Sequence, residues 1–189
     1  MGNCYQEKIY QAKAERINYS MSLFEFKSYG MPTGEVFIPT NEMTEEQEQP
    51  ASFEGHNIDQ YIGDRKVVLI GIPGAFTPGC TNTHLPGFVE NERALYRKGI
   101  QEVICMSVND PYVMIAFDDY INAEGSEITM AADPYGEVTE QLGLLSEMGP
   151  LGKRTKRFAA IIENQKITTM FVDEKGIDKS SAQNILDNL

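Results

Sequence analysis

Cysteine is scarce in this chain of 189 residues, and none of it pairs: Cys4, Cys80 and Cys105 form neither a Cys-x-x-Cys nor a metal-ligand spacing. No metal or other cofactor is expected, and the usage suits a reducing compartment such as the cytoplasm. Basic residues are also short. Sixteen Lys and Arg stand against 28 Asp and Glu, and the net charge of −12 argues against a nucleic-acid partner or general adsorption to an anionic surface. There is no run of about eighteen apolar residues, so no membrane-spanning helix is expected. The first residues lack the apolar core of a secretory leader, and none is expected. Internal repeats and low-complexity tracts are absent too. What is present, 41% hydrophobic residues over this length, is enough for one full core and predicts a single domain with an appendage.

The chain is organised around Pro73-Gly74-Ala75-Phe76-Thr77-Pro78-Gly79-Cys80. Before it, Val67-Val68-Leu69-Ile70-Gly71-Ile72 is β-branched and continuously apolar, the pattern of a strand buried on both faces. After it, Leu85, Phe88, Val89, Leu95 and Tyr96 recur at helical spacing. Glu90, Glu92, Arg93, Arg97 and Lys98 take the other face, and Gly99 stops the helix. Pro73 and Pro78 fix φ and remove backbone donors, so the segment between strand and helix is a rigid turn. That turn delivers Cys80 to the helix's first turn, where unpaired N–H groups and a partial positive charge favour a thiolate over a thiol. A free cysteine is more often a small buried hydrophobe. Here the neighbours are Gly, Thr and Asn, which favours a reactive thiol over an inert one.

Further along, Val103–Val108 is a second apolar strand, and Cys105 within it is expected to be packing. Asn109-Asp110-Pro111 starts a helix whose apolar side carries Tyr112, Val113, Ile115, Ala116, Phe117 and Tyr120. Ile128–Ala132 is a third strand and Glu137–Leu144 a short helix ending at Gly143. Lys153, Arg154, Lys156 and Arg157 crowd one loop before the strand Phe158–Ile162. That strand pairs with Lys166–Val172 across a turn at Glu163-Asn164-Gln165, and a final helix follows Asp178. Strands alternating with helices and closing on a hairpin predict an α/β, thioredoxin-like fold with a central mixed sheet flanked by helices.

The first fifty residues are less regular. Cys4–Tyr19 permits a short helix, and Ser22–Thr40, with Phe24, Phe26, Val36, Phe37 and Ile38 around Gly30–Gly34, predicts an edge hairpin. Asn41–Asp59 carries six carboxylates and no Lys or Arg, as solvated linkers do. Residues 1–50 are therefore expected to be an N-terminal extension and acidic linker, and residues 51–189 the folded domain. Met1-Gly2-Asn3-Cys4 has the form of a dually acylated anchor, weakened by Gln6 where Ser or Thr is usual. A membrane is a partner only if that acylation occurs.

Pro73, Thr77 and Cys80 reproduce the Pro-x-x-x-Thr-x-x-Cys pattern of peroxiredoxins. The string PGAFTPGCTNTHLPGF, followed in order by MSVNDPYVM, ADPYGEVTEQLGLL, GKRTKRFAAII and NIL, closely resembles their atypical type II subfamily, peroxiredoxin 5. The resemblance covers about Phe53 to Leu189. It implies that Cys80 is the peroxidatic cysteine, Thr77 the hydroxyl beside sulfur and peroxide, Pro73 a shield over the pocket, and Arg157 the active-site arginine. The implied reaction is reduction of hydrogen peroxide or small alkyl hydroperoxides through a sulfenic acid. Many relatives carry a resolving cysteine in the loop before the last helix, where this chain has Lys179. The resemblance is thus to a one-cysteine member recycled by an external thiol, glutathione with glutaredoxin or thioredoxin, unless Cys4 folds back. It also implies a homodimer through Phe76, Tyr112 and Leu144-Leu145. His84, one turn after Cys80, is expected to hydrogen-bond near the pocket, and His56 has no role. A non-turnover peroxide sensor or signalling adaptor is the alternative function. A thioredoxin-type disulfide oxidoreductase fits the fold but lacks its paired cysteines.

Overall fold

A computed structural model describes residues 29–40, 52–123 and 125–189. The short helix expected over Cys4–Tyr19, Phe24, Phe26, the acylation motif and the acidic stretch as far as Ala51 lie outside these residues. In chain order come β1 (Tyr29–Gly30), β2 (Glu35–Thr40), β3 (Ser52–Asn57), α1 (Ile58–Ile62) and β4 (Val67–Gly71). A π-helical turn (Cys80–His84) runs straight into α2 (Leu85–Arg97), followed by β5 (Glu102–Ser107), α3 (Pro111–Ile121), β6 (Thr129–Ala132) and α4 (Glu137–Gln141). The chain closes with β7 (Leu145–Glu147), β8 (Lys153–Thr155), β9 (Arg157–Glu163), β10 (Lys166–Asp173) and α5 (Ala182–Asp187).

Eight strands form one sheet in the order β1-β10-β9-β4-β5-β6-β2-β3, parallel between β4, β5 and β6 and antiparallel elsewhere. All five residues of β4 are buried because both faces of the sheet are covered. Val68, Ile70 and Ile72 pack with Leu85, Phe88, Met114, Phe117 and Ile185 on one side. Val67 and Leu69 pack with Ile58, Ile62 and Val138 on the other. This is the expected thioredoxin-like arrangement. The hairpin between β9 and β10 turns at Asn164 and Gln165, both at positive φ, the pair of left-handed residues that a tight two-residue hairpin requires.

The N-terminal half of the sheet differs from expectation. Val36, Phe37 and Ile38 do form a strand, but β2 pairs with β3 and β6, while β1 pairs with β10 at the far edge. β2 is therefore not one arm of the hairpin predicted over Ser22–Thr40, of which residues 22–28 lie outside the described residues. Alternation marks a strand without naming its neighbour, and Val36 and Ile38 are buried only in the sheet's interior. β1 and β2, at residues 29–30 and 35–40, lie upstream of the expected boundary at 51 and are part of the sheet. Lys153–Thr155 is a strand paired with β7 rather than loop, its Thr155 buried against the Thr139 hydroxyl at 3.1 Å. Glu92, expected on the outer face of α2, is buried and accepts from the Tyr96 hydroxyl at 3.0 Å and the Glu127 amide at 2.9 Å.

Gly71 ends β4 directly opposite Phe158. A Cβ there would stand 2.9 Å from Phe158 Cζ and closer still to two other ring carbons, and the ring is fully buried. Gly71→Ala is expected to cost about 3 kcal/mol, as overpacking of a filled core does. For a domain of this size, that lowers the thermal midpoint by roughly 6–12 °C. Calorimetry checks this, and Phe158→Leu added to Gly71→Ala should recover part of the loss.

Candidate active site

The site is built where β4 ends. Ile72 still donates its amide to the Met106 carbonyl at 3.0 Å, and the chain then turns through Pro73–Thr77. A clamp from the neighbouring strand holds that turn. Asn109 Oδ1 accepts the Ala75 amide at 3.0 Å and the Ser107 hydroxyl at 2.8 Å. A Cβ at Gly74 would lie 3.6 Å from the same oxygen, in ordinary van der Waals contact. Phe76 adopts positive φ, an uncommon conformation for a bulky residue, with its ring against Phe117 and Tyr120. Pro78 and Gly79 are already helical, so Cys80 lies in the helix's first turn as expected.

Cys80 is a free cysteine with no solvent exposure. Arg157, the first residue of β9, places Nη2 3.5 Å from Cys80 Sγ. Gly79 permits this approach, since a Cβ there would meet Nη2 at 3.2 Å. Arg157 Nη1 is buried and has no hydrogen-bond partner. A permanently charged donor held beside a sulfur, with a second donor unused, is arranged to receive an anionic or polar group. Thr77 Oγ1 donates to the Gly74 carbonyl at 2.8 Å, which leaves its lone pairs free to accept. Pro73 is half-buried at the start of the turn. The structure thus brings Cys80 and Arg157 into contact and places Thr77 and Pro73 on the turn that carries Cys80.

Residues 38–186 match the Redoxin family profile. Peroxiredoxin-2D of Arabidopsis thaliana is 42% identical over 146 residues, 75% of this chain and 87% of the relative. This chain belongs to the peroxiredoxin family. A Lipomyces kononenkoae protein named as a putative peroxisomal peroxiredoxin is 37% identical over 131 residues, covering 69% of this chain and 79% of the relative. The crystal structure of reduced Prx3 from Vibrio vulnificus in complex with hydrogen peroxide superposes with a TM-score of 0.76 at 34% identity, covering 89% of this chain and 99% of that one. As a peroxiredoxin, the chain is a thiol-dependent peroxidase.

Several side chains around this peroxiredoxin site differ from the sequence reading. Arg154, expected among the solvated charges, is half-buried and donates to the Val108 carbonyl at 2.6 Å. Leu144 is buried and Leu145 half-buried, so of the expected patch Phe76 and Tyr112 are the exposed members, at 50% and 64% exposure. Cys105 is fully buried on β5, as expected. Burial pushes its thiol well above the ordinary range, the nearby Cys80 sulfur adds to this, and Arg157 only partly opposes it. Asn109 and Ser107 were missed as parts of the site, although Asn109 precedes Asp110-Pro111 in a legible turn.

His84 hydrogen-bonds as expected, but to the distant loop before α5. Nε2 lies 2.9 Å from the Ser180 carbonyl oxygen and 3.1 Å from the Ser180 hydroxyl. That hydroxyl donates to Asp173 Oδ2 at 2.6 Å, so towards His84 it can only accept. His84 therefore carries a proton on Nε2. Burial lowers its pKa to about 4, with Arg157 lowering it further and the Ser180 bond and Asp173 opposing. Between 6.5 and about 4 the unfolded chain takes up a proton that the native state refuses. Stability from this residue is full above 6.5 and is lost as pH falls towards 4, about 3 kcal/mol in all. Asp118 acts with opposite sign, because burial raises it to about 6. Urea unfolding at pH 5 and 7 should show a larger loss on acidification for the wild type than for His84→Gln, a comparison in which Asp118 cancels.

Proposed function

We propose that Cys80 reduces hydrogen peroxide and small alkyl hydroperoxides through a sulfenic acid. The observation that carries this reading is the Cys80–Arg157 contact at 3.5 Å, with a second buried arginine donor unpartnered beside it. The thiolate attacks one peroxide oxygen and an S–O bond forms as the O–O bond breaks. The departing oxygen leaves with the electron pair and takes a proton, giving water or an alcohol, while the sulfur becomes Cys80–SOH. Negative charge moves from sulfur to the departing oxygen during this step. Arg157 keeps one N–H on the sulfur and offers another to that oxygen, so it stabilises the transition state more than the ground state. Thr77 accepts the peroxide O–H and orients it, and Pro73 shields the turn from water.

Recycling is assigned to an external thiol. Position 179 is Lys, and Cys105, the other cysteine among the described residues, is sealed in β5. Glutathione with glutaredoxin, or thioredoxin, would supply the electrons, and the cytoplasm is a compartment that maintains them. Exposed Phe76 and Tyr112 beside the site support a homodimer through this face. Peroxide consumption in the steady state tests the function. Turnover with dithiothreitol, and with at least one of the two protein reductants, is expected. Oxidation of Cys80 with no turnover on any of these thiols would replace the peroxidase with the sensor.

A further inference from the structure

The loop that carries a cysteine in many relatives is here fastened to the helix that carries Cys80. Asp173, the last residue of β10, accepts the Lys179 amide at 3.0 Å on Oδ1, and the Ser180 amide at 2.9 Å and hydroxyl at 2.6 Å on Oδ2. Burial alone would raise the Asp173 carboxyl, but these bonds outweigh it and bring it below its ordinary range. Ser180 in turn receives His84 Nε2–H. Asp173 also lies opposite Arg157 in the β9–β10 ladder. A closed circuit results, running from Cys80 through the π turn to His84, across to Ser180 and Asp173, and back through Arg157 to the sulfur.

Resting on the assignment of Cys80 made above, we propose that the His84–Ser180–Asp173 cluster is a latch that sets how fast oxidised Cys80 is presented to an external thiol. Cys80 has no exposed surface, and a thiol, much bulkier than hydrogen peroxide, needs the first helical turn to open further before it can reach the sulfur. The turn is irregular: the Leu85 amide bonds to the Cys80 carbonyl in π geometry, the Thr81 amide to the Thr77 carbonyl at 2.9 Å, and both Thr81 Oγ1 and His84 Nδ1 are buried without partners. Among the described residues, the side-chain hydrogen bonds from residues 80–84 to the rest of the fold are Arg157 to Cys80 and His84 to Ser180. Oxidation adds an oxygen to the sulfur that Arg157 holds and removes its negative charge, which weakens that contact. The bond from His84 then remains as the tie that must break before the sulfenic acid is exposed. The chemistry that follows is balanced: Cys80–SOH and a thiolate with one proton give a mixed disulfide and water, and a second thiol releases Cys80–SH and a disulfide. His84, Ser180 and Asp173 are positioning residues for this half of the reaction.

Measuring the two half-reactions separately tests the latch. Reduced protein is oxidised with one equivalent of hydrogen peroxide, and the sulfenic acid so formed is then mixed with glutathione. Adduct formation is followed by mass spectrometry. His84→Phe is expected to accelerate the glutathione step by roughly five- to tenfold, the change produced when an opening equilibrium loses one buried hydrogen bond, and Ser180→Ala, which keeps the main-chain carbonyl as acceptor, to accelerate it by a smaller factor. Their oxidation by peroxide should change far less. His84→Gln, which restores a donor to Ser180, should return the glutathione step to the wild-type rate. Wild-type glutathione rates in both Ser180→Ala and His84→Phe would overturn the latch while leaving the peroxidase intact. Absence of any sulfenic acid in the wild type would instead overturn the reading on which the latch rests.

Discussion

Cys80→Ser is expected to abolish peroxide turnover, with activity lowered by a factor of roughly 10³ or more, the scale seen when a nucleophile is deleted. A serine hydroxyl is nearly isosteric but stays protonated at neutral pH and is a far weaker nucleophile towards oxygen. Cys105→Ser is the control. It places a hydroxyl in the buried β5 strand and should cost stability, yet turnover per folded molecule should persist, because that thiol is fully buried and held protonated. Peroxide loss at equal concentrations of folded protein decides between the two cysteines. Activity retained in Cys80→Ser would contradict the assignment.

Arg157→Gln is expected to lower the single-turnover oxidation rate about 10²- to 10³-fold, or roughly 3–4 kcal/mol of transition-state stabilisation. Glutamine retains a donor near Cys80 Sγ but loses both the charge and the fork that lets one guanidinium hold sulfur and departing oxygen together. Arg157→Lys keeps the charge and should recover only part of the loss, since a single ammonium cannot donate in two fixed directions. Alkylation by iodoacetamide, which breaks no O–O bond, should slow much less than peroxide reduction. Equal slowing of both would mean that Arg157 acts on the sulfur alone. Stopped-flow oxidation with excess hydrogen peroxide gives the first rate and timed alkylation the second.

The core of the site was legible in the sequence because its parts are local. A continuous apolar run, two prolines and a helical periodicity place Cys80 without any long-range information, and the fold around it followed from strands alternating with helices. Arg157 was reachable only through resemblance. It lies 77 residues from the sulfur it touches, among four basic residues that composition does not separate. The latch was invisible for the same reason, since His84 and Ser180 are 96 residues apart and Ser180 has no pattern of its own. β2 was recognised as a strand but given the wrong partner, because alternation fixes which side chains face the core and not which strand lies alongside. Glu92 was misplaced because helical period assigns a charge to the outer face, while the Tyr96 hydroxyl and Glu127 amide supply it with buried donors. In each case the information resides in a tertiary hydrogen bond.

The central claim is that one sulfur, on Cys80, takes the peroxide oxygen. Intact mass and peptide mapping after one equivalent of hydrogen peroxide, with a sulfenic-acid trap such as dimedone present, test it directly. A single adduct confined to the peptide containing Cys80, with Cys105 unmodified, is the predicted result. An adduct on Cys105, or an unmodified Cys80 after the peroxide has been consumed, would contradict it.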